Sequence, residues 1–248
     1  MHPPGSVLFP FIGDSVGGAQ LSALLLIEGL EKENVRTDVV VHEEGPLSQH
    51  LEQIGRRYEI FPLPGYVGRA PSLTGNIELL IKAGTRIRKI IREQRWDIVH
   101  AHDSRTNMTW VLPTRFSGKK FVWHQRSRFS ASRLQGLLVR PANAVVSISD
   151  YIKHTLPATV RHGSTVVANP FDTGRAVPDR SVARAQMLEE LNLPANSRLV
   201  AAVGNMTSQK RPEFLVDVAA EVMDQVVDPV YFVIFGRVPD SLQSQLMD

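Results

Sequence analysis

Short apolar runs alternate with segments of helical period along most of the chain. Residues 6–10 form a β-like run that breaks into a loop of small residues, 11–18, and from 19 to 32 apolar side chains recur at helical spacing, with Asn34 as a C-terminal stop. Residues 37–41 predict a second strand, 46–51 a helix and 58–61 a third strand. These strands are apolar throughout and do not alternate. Such runs suit a parallel sheet buried on both faces by helices.

A Pro- and Gly-rich loop over 62–75 precedes an amphipathic, basic helix over 77–94. Strands follow at 96–100, 121–124, 144–148 and 164–168, each running into polar residues, the last into Asn169-Pro170. Ligands of open α/β sheets gather at the carboxyl ends of the strands, so these polar ends share one candidate cleft edge. Residues 172–196 read as a linker with a helix over 181–191, punctuated by Pro178 and Pro194. The pattern then restarts with a strand at 198–204, a helix at 212–226 and a strand at 230–236. The expected organisation is a Rossmann-like parallel-sheet domain over 1–177, followed over 178–248 by a linker and the first β-α-β unit of a second such domain. Three elements and a tail do not close a core of their own, so the second piece is expected to dock on the first or to belong to an incomplete domain.

Composition narrows the chemistry. With 43% hydrophobic and 21% charged residues among 248, the chain is expected to fold. The absence of cysteine excludes disulfides, thiolate catalysis and cysteine-ligated metals. No apolar run approaches the roughly 20 residues that span a bilayer, and the first residues carry no basic, secretory-type leader, so a cytoplasmic location is expected. Net charge is +3, yet residues 82–140 hold 14 Lys and Arg against 3 acids, leaving the remainder acidic. That basic segment reads in two ways: as solvated helix faces, or as a surface for anionic lipid headgroups or phosphate-bearing substrates, with peripheral attachment at the inner face of the membrane. Nucleic acid is not expected, because no aromatic platform or binding motif accompanies the charge.

Four groups of residues carry candidate chemistry. Gly17-Gly18 opens the first helix, where unpaired N–H groups suit a diphosphate, although a tight strand-to-helix turn uses the same residues. The pattern is not G-x-G-x-x-G, which lowers the case for a nicotinamide or flavin enzyme. His100 and His102 point to one face of a strand beside Asp103, but that set supplies no third and fourth ligand, so no metal is expected. His124 ends a buried strand with Arg126 and Arg128 close by in sequence. Lys210 precedes a helix whose start Pro212 sets, placing an ammonium beside a helix N-terminus.

Taken in order, Gly17-Gly18-Ala19-Gln20, Asp97 to His102, Trp123-His124, Val146 to Asp150, Val167 to Asp172 and Val203 to Lys210 resemble the successive signatures of the family-four retaining glycosyltransferases. The resemblance spans nearly the full chain. It implies a GT-B architecture of two facing Rossmann-like domains, with the acceptor held mostly by the first and the sugar nucleotide mostly by the second. It also implies a metal-independent transfer, without cofactor, from a nucleoside diphosphate sugar to a hydroxyl of a polysaccharide or lipid-linked glycan. His124 would contact the transferred sugar or the acceptor hydroxyl. Gly17, Gly18, Gly204, Asn205 and Lys210 would face the donor and its phosphates, and His102, Arg126 and Arg128 are the acceptor-side candidates. Asn205 stands where the family usually has an arginine. The family's later pair of glutamates eight positions apart is matched by spacing at Glu213 and Glu221 and at Glu44 and Glu52, but neither pair lies in the right context. The chain is therefore expected to stop within its second domain. The rival readings are a nucleotide-sugar epimerase on the same architecture and a non-catalytic acceptor-binding fragment.

Overall fold

The computed structural model describes residues 5–68, 72–94, 96–130, 132–171, 173–174, 176–204, 206 and 210–236. The chain divides into two compact units, Met1–Thr173 and Gly174–Asp248.

In the first unit, strands β1 (Ser6–Phe11), β2 (Arg36–Val41), β3 (Glu59–Ile60), β4 (Ile98–Ala101), β5 (Lys120–Gln125), β6 (Ala144–Ser147) and β7 (Thr165–Val166) form one sheet in the order 3-2-1-4-5-6-7. All pairings are parallel. This is the doubly wound, Rossmann-like order, in which the chain reverses direction at β1 and β4 and leaves a crevice beyond their carboxyl ends. The apolar, non-alternating strands follow from having two covered faces. On β1, Val7, Phe9 and Phe11 enter one core with Leu24 and Ile27 of α1 (Gly18–Lys32) and Leu47 and Leu51 of α2 (Pro46–Gln53). Leu8 enters the other, with Ile87 and Ile91 of α3 (Leu73–Gln94), Trp96, Trp110 and Trp123. Asn34 ends α1 in the left-handed conformation, with φ 60°, as its place in the pattern implies.

Helix α3 starts at Leu73, four residues before the pattern predicts. A larger departure is α4 (Ser104–Phe116), which the apolar pattern does not reveal. Its polar residues Thr106, Asn107, Thr109 and Thr114 are buried and Pro113 lies inside it, so both usual signals of a core-facing helix are blurred. Its start is set by Asp103, whose Oδ1 accepts from the backbone N–H groups of Arg105 (2.8 Å) and Thr106 (3.1 Å). Short helices α5 (Arg133–Leu138), α6 (Asp150–Thr155) and α7 (Ala158–Arg161) fill the connections around β6.

The second unit contains α8 (Arg180–Glu190), β8 (Arg198–Val203), α9 (Pro212–Gln225) and β9 (Val230–Phe235). Strands β8 and β9 pair in parallel from Arg198↔Val230 to Val203↔Phe235, so α9 is the crossover of a β-α-β unit. No residue of either strand is fully buried.

Candidate functional site

Strand register assembles the centre of the site. His100 lies beside Val122 in the β4–β5 ladder, and continuing that register places His102 next to His124. Side chains two apart on a strand share a face. The imidazoles of His100, His102 and His124 accordingly cluster: His100 stacks on His102 and on His124, with centroids 4.4 and 5.4 Å apart, and His102 and His124 meet at a tilt, 5.0 Å apart. Phe9 packs against the first two at 5.3 and 5.5 Å, on the α1 side of the sheet. His100 Nε2 and His124 Nδ1 are 3.2 Å apart and share a hydrogen bond.

Arg126 closes the cluster. Its guanidinium donates to His102 Nδ1 from Nε (3.1 Å) and Nη2 (3.0 Å), and from Nη1 to Ser22 Oγ (2.7 Å) on α1 and Asn169 Oδ1 (2.5 Å) beyond β7. One cation thus ties together the ends of β4, β5 and β7 and the first turns of α1. Asn107 on α4 donates from Nδ2 to the His124 carbonyl at 3.2 Å. A guanidinium has only donors, so His102 Nδ1 is an acceptor and the neutral ring carries its proton on Nε2.

Burial, and then repulsion from a neighbouring imidazole at His100 and His102 and from Arg126 at all three, holds the imidazoles neutral. The pKa falls to about 3 at His100 and His124, and well below the ordinary histidine value at His102. Desolvation also lowers Arg126, to about 10, which leaves it charged near neutrality. His102 Nε2, His124 Nε2 and Asn107 Oδ1 are buried and have no hydrogen-bond partner among the described residues. They belong to residues that line a cavity of about 170 Å³ with Ala19 in the first turn of α1 and Ser104 at the start of α4. This arrangement supplies neutral hydrogen-bonding groups and a fixed cation at the mouth of the topological crevice.

The site residues expected from the sequence fall into four places. His102, His124 and Arg126 are brought together. Gly17 caps α1, its N–H donating to Gln20 Oε1 at 3.1 Å, with Gly18 the first helical residue. Arg128 is exposed and lines a different groove, beside α5 and α6. Gly204 ends β8 with φ 144°, and Lys210 is exposed just before α9, whose first residue is Pro212. Arg211 stacks its guanidinium 4.8 Å above the Phe214 ring. Asn205 lies outside the described residues. Glu213 and Glu221 both sit on α9, where Glu221 accepts from Gln225 Nε2 at 2.6 Å.

Sequence reasoning did not anticipate that a third imidazole joins His100 and His102. The possible ligand atoms of the three lie within 4.8 Å of one another. Asp103 is not part of that set, since it caps α4. Ser22, Asn107 and Asn169 were also unmarked as partners of the site. Nor was a second cavity, about 410 Å³, where Arg105 makes a two-pronged ion pair with Asp14 (2.6 and 3.1 Å) beside Tyr66 and Glu43. Burial and then the nearby Glu43 carboxylate push the Tyr66 hydroxyl up to about 12. The Pro- and Gly-rich loop that supplies Tyr66 was the available signal.

No helix among the described residues is long and apolar enough to cross a membrane. Residues 16–175 match the model of Glycosyltransferase Family 4. The chain is 23% identical, across 89% of its own length, to the UDP-Gal:alpha-D-GlcNAc-diphosphoundecaprenol alpha-1,3-galactosyltransferase of Escherichia coli, and covers 59% of that protein. It superposes on the crystal structure of Anabaena Alr3699/HepE in complex with UDP and glucose with a TM-score of 0.73 at 17% identity, covering 98% of this chain and 64% of that one. For the glycosyltransferase from Rickettsia africae the TM-score is 0.70 at 16% identity, with 94% and 60% covered. The chain thus spans about three-fifths of the length of these relatives. The match takes in more than half of the chain, including the Gly17-Gly18 turn, the histidine strands β4 and β5, and Asn169, and on that ground the chain belongs to Glycosyltransferase Family 4.

Proposed function

We propose that the chain works in a retaining glycosyl transfer from a nucleoside diphosphate sugar to a hydroxyl of a lipid-linked or polysaccharide acceptor. The observation that carries this reading is the cavity at the carboxyl ends of β4 and β5, where His124 and His102 bring unpartnered polar atoms next to Arg126 and the start of α1. A neutral imidazole orients hydroxyls by hydrogen bonding and does not act as a general acid near pH 7. That suits a reaction driven by positioning and by stabilisation of a departing diphosphate. UDP and glucose in the Anabaena complex and the diphosphoundecaprenol acceptor of the Escherichia coli enzyme favour this substrate class.

Gly17-Gly18 is read as a phosphate-facing turn. Gly17 has an ordinary extended φ of −145°, and a Cβ on Gly18 would meet nothing within 4 Å. The turn therefore does not itself require glycine at these positions, and close approach of a ligand is the better reason for them. Gly204 and Lys210 are assigned to the donor diphosphate on the second unit, together with Asn205. Family membership favours transfer over epimerisation.

No metal is assigned to the three histidines. His102 Nδ1 is taken by Arg126, its Nε2 carries the proton, and a dication there would sit against a guanidinium. Attachment to an anionic membrane surface is assigned to α3, which exposes Leu73, Ile77 and Ile81 on one stripe and carries Arg86, Lys89 and Arg92. Salt-sensitive binding to anionic vesicles, lost on neutralising those three cations, is the expected result.

The test of the reaction is transfer from a panel of UDP-sugars to a polyprenyl-diphosphate-linked sugar, with anomeric configuration read by NMR. Retention, and a fall of about 100-fold in turnover for His124→Ala, are expected. Inversion, or undiminished transfer by that variant, overturns the reading.

A further inference from the structure

A groove of about 790 Å³ lies between the segment after β5 and helices α5 to α7, apart from the histidine cluster. Arg128, Arg133, Arg140 and Arg161 line it together with His154, and among the described residues no carboxylate does. Its walls are tied together. Phe129 N–H donates to Thr155 Oγ1 (3.0 Å) on α6, Ser130 N–H donates to the buried Gln135 side chain (3.2 Å) on α5, and Arg161 is held by the Leu156 carbonyl (3.1 and 2.8 Å).

What points to a ligand is that four guanidiniums from separate elements line one groove whose described lining holds no carboxylate, and among the described residues none of the four has a carboxylate partner within 4 Å. Guanidiniums gathered from separate elements repel one another until an anion enters, and their planar donors match phosphate oxygens. Leu137, 58% exposed on the same wall, adds an apolar flank.

We propose that this groove is a binding site for a phosphate-bearing ligand, with Arg133 and Arg140 as its principal contacts. Two sources share that chemistry: the diphosphate of a lipid-linked acceptor and the headgroups of an anionic bilayer. Only the first source rests on the proposed transfer. Anion binding stands without it and is measured with no sugar donor present, so failure of the groove and failure of the transfer reading are separate outcomes.

The experiment titrates the chain with inorganic pyrophosphate while following arginine Nε–Hε resonances. Arg133 and Arg140 are expected to shift more than the exposed Arg57 and Arg180, and Arg133→Gln/Arg140→Gln to weaken binding at least tenfold with an unchanged circular dichroism spectrum. Arg57→Gln/Arg180→Gln keeps the affinity. If the groove double variant misfolds, Arg140→Gln alone, with a severalfold loss expected, replaces it. Unchanged affinity in the groove variant, or an equal loss in the Arg57/Arg180 variant, overturns the proposal. Farnesyl diphosphate and phosphatidylglycerol vesicles then separate the sources: the affinity that falls with the groove variant identifies the ligand.

Discussion

Strand β5 reads Lys-Phe-Val-Trp-His-Gln and is buried at four of its six positions, whereas β9 reads Val-Tyr-Phe-Val-Ile-Phe and is fully buried at none. The more apolar sequence is the more exposed. β5 has a strand on each side and helices over both faces, while β9 pairs among the described residues with β8 alone. Burial is conferred by neighbours, and the same apolar run stabilises a fold only to the extent that other elements cover it.

The largest expected contrast comes from emptying the two strands. Trp123→Ala removes a fully buried ring and should cost about 3–5 kcal/mol, whereas Tyr231→Ala on β9 should cost about 1 kcal/mol or less. Urea unfolding followed by circular dichroism measures both, and equal losses would break the comparison.

Acid should divide the units next. None of the eight histidines lies in the second unit. In the first, burial lowers His42 to about 4, against an ordinary value near 6.5. The unfolded chain then takes up the proton at higher pH than the folded one. This stability is complete above about pH 6.5 and is lost as pH falls towards 4, to the extent of about 3 kcal/mol for His42. His100 and His124 act in the same direction. The urea midpoint of the first unit should fall over that range, and that of the second should not follow it.

Within the first unit two glycines make a sharper pair. Gly13 has φ 118°, and a Cβ there would lie 2.1 Å from the Glu43 carbonyl oxygen, so Gly13→Ala should cost about 2 kcal/mol or more. Gly18→Ala should change stability by less than about 0.5 kcal/mol and show its effect in nucleotide affinity. Equilibrium unfolding and a UDP titration separate the two. Arg126→Ala is expected to cost about 1–3 kcal/mol through the partners it leaves, and to raise the pKa of His102 and His124 by removing a nearby positive charge. NMR titration of the ring protons reads that shift.

Much of the frame was legible because it rests on local physics. Apolar runs bounded by turn residues marked the strands, and helical spacing marked α1, α3 and α9. Helix α4 stayed hidden because it buries threonine and asparagine in place of leucine, a choice that makes sense only beside the strand ends it supports. In the same way His124 stood out as a polar residue closing an apolar run, but Ser22 and Asn169, 147 positions apart, gave no sign that they meet through Arg126.

By itself, the order of apolar and polar residues determined the α/β class, the parallel sheet and the edge at which its chemistry gathers, since period and capping act over a few residues. Only the tertiary structure decided which imidazoles share a ring stack, which arginine is tied into the cleft and which line a separate groove. Those outcomes depend on strand order and register, which bring together side chains that no local pattern relates.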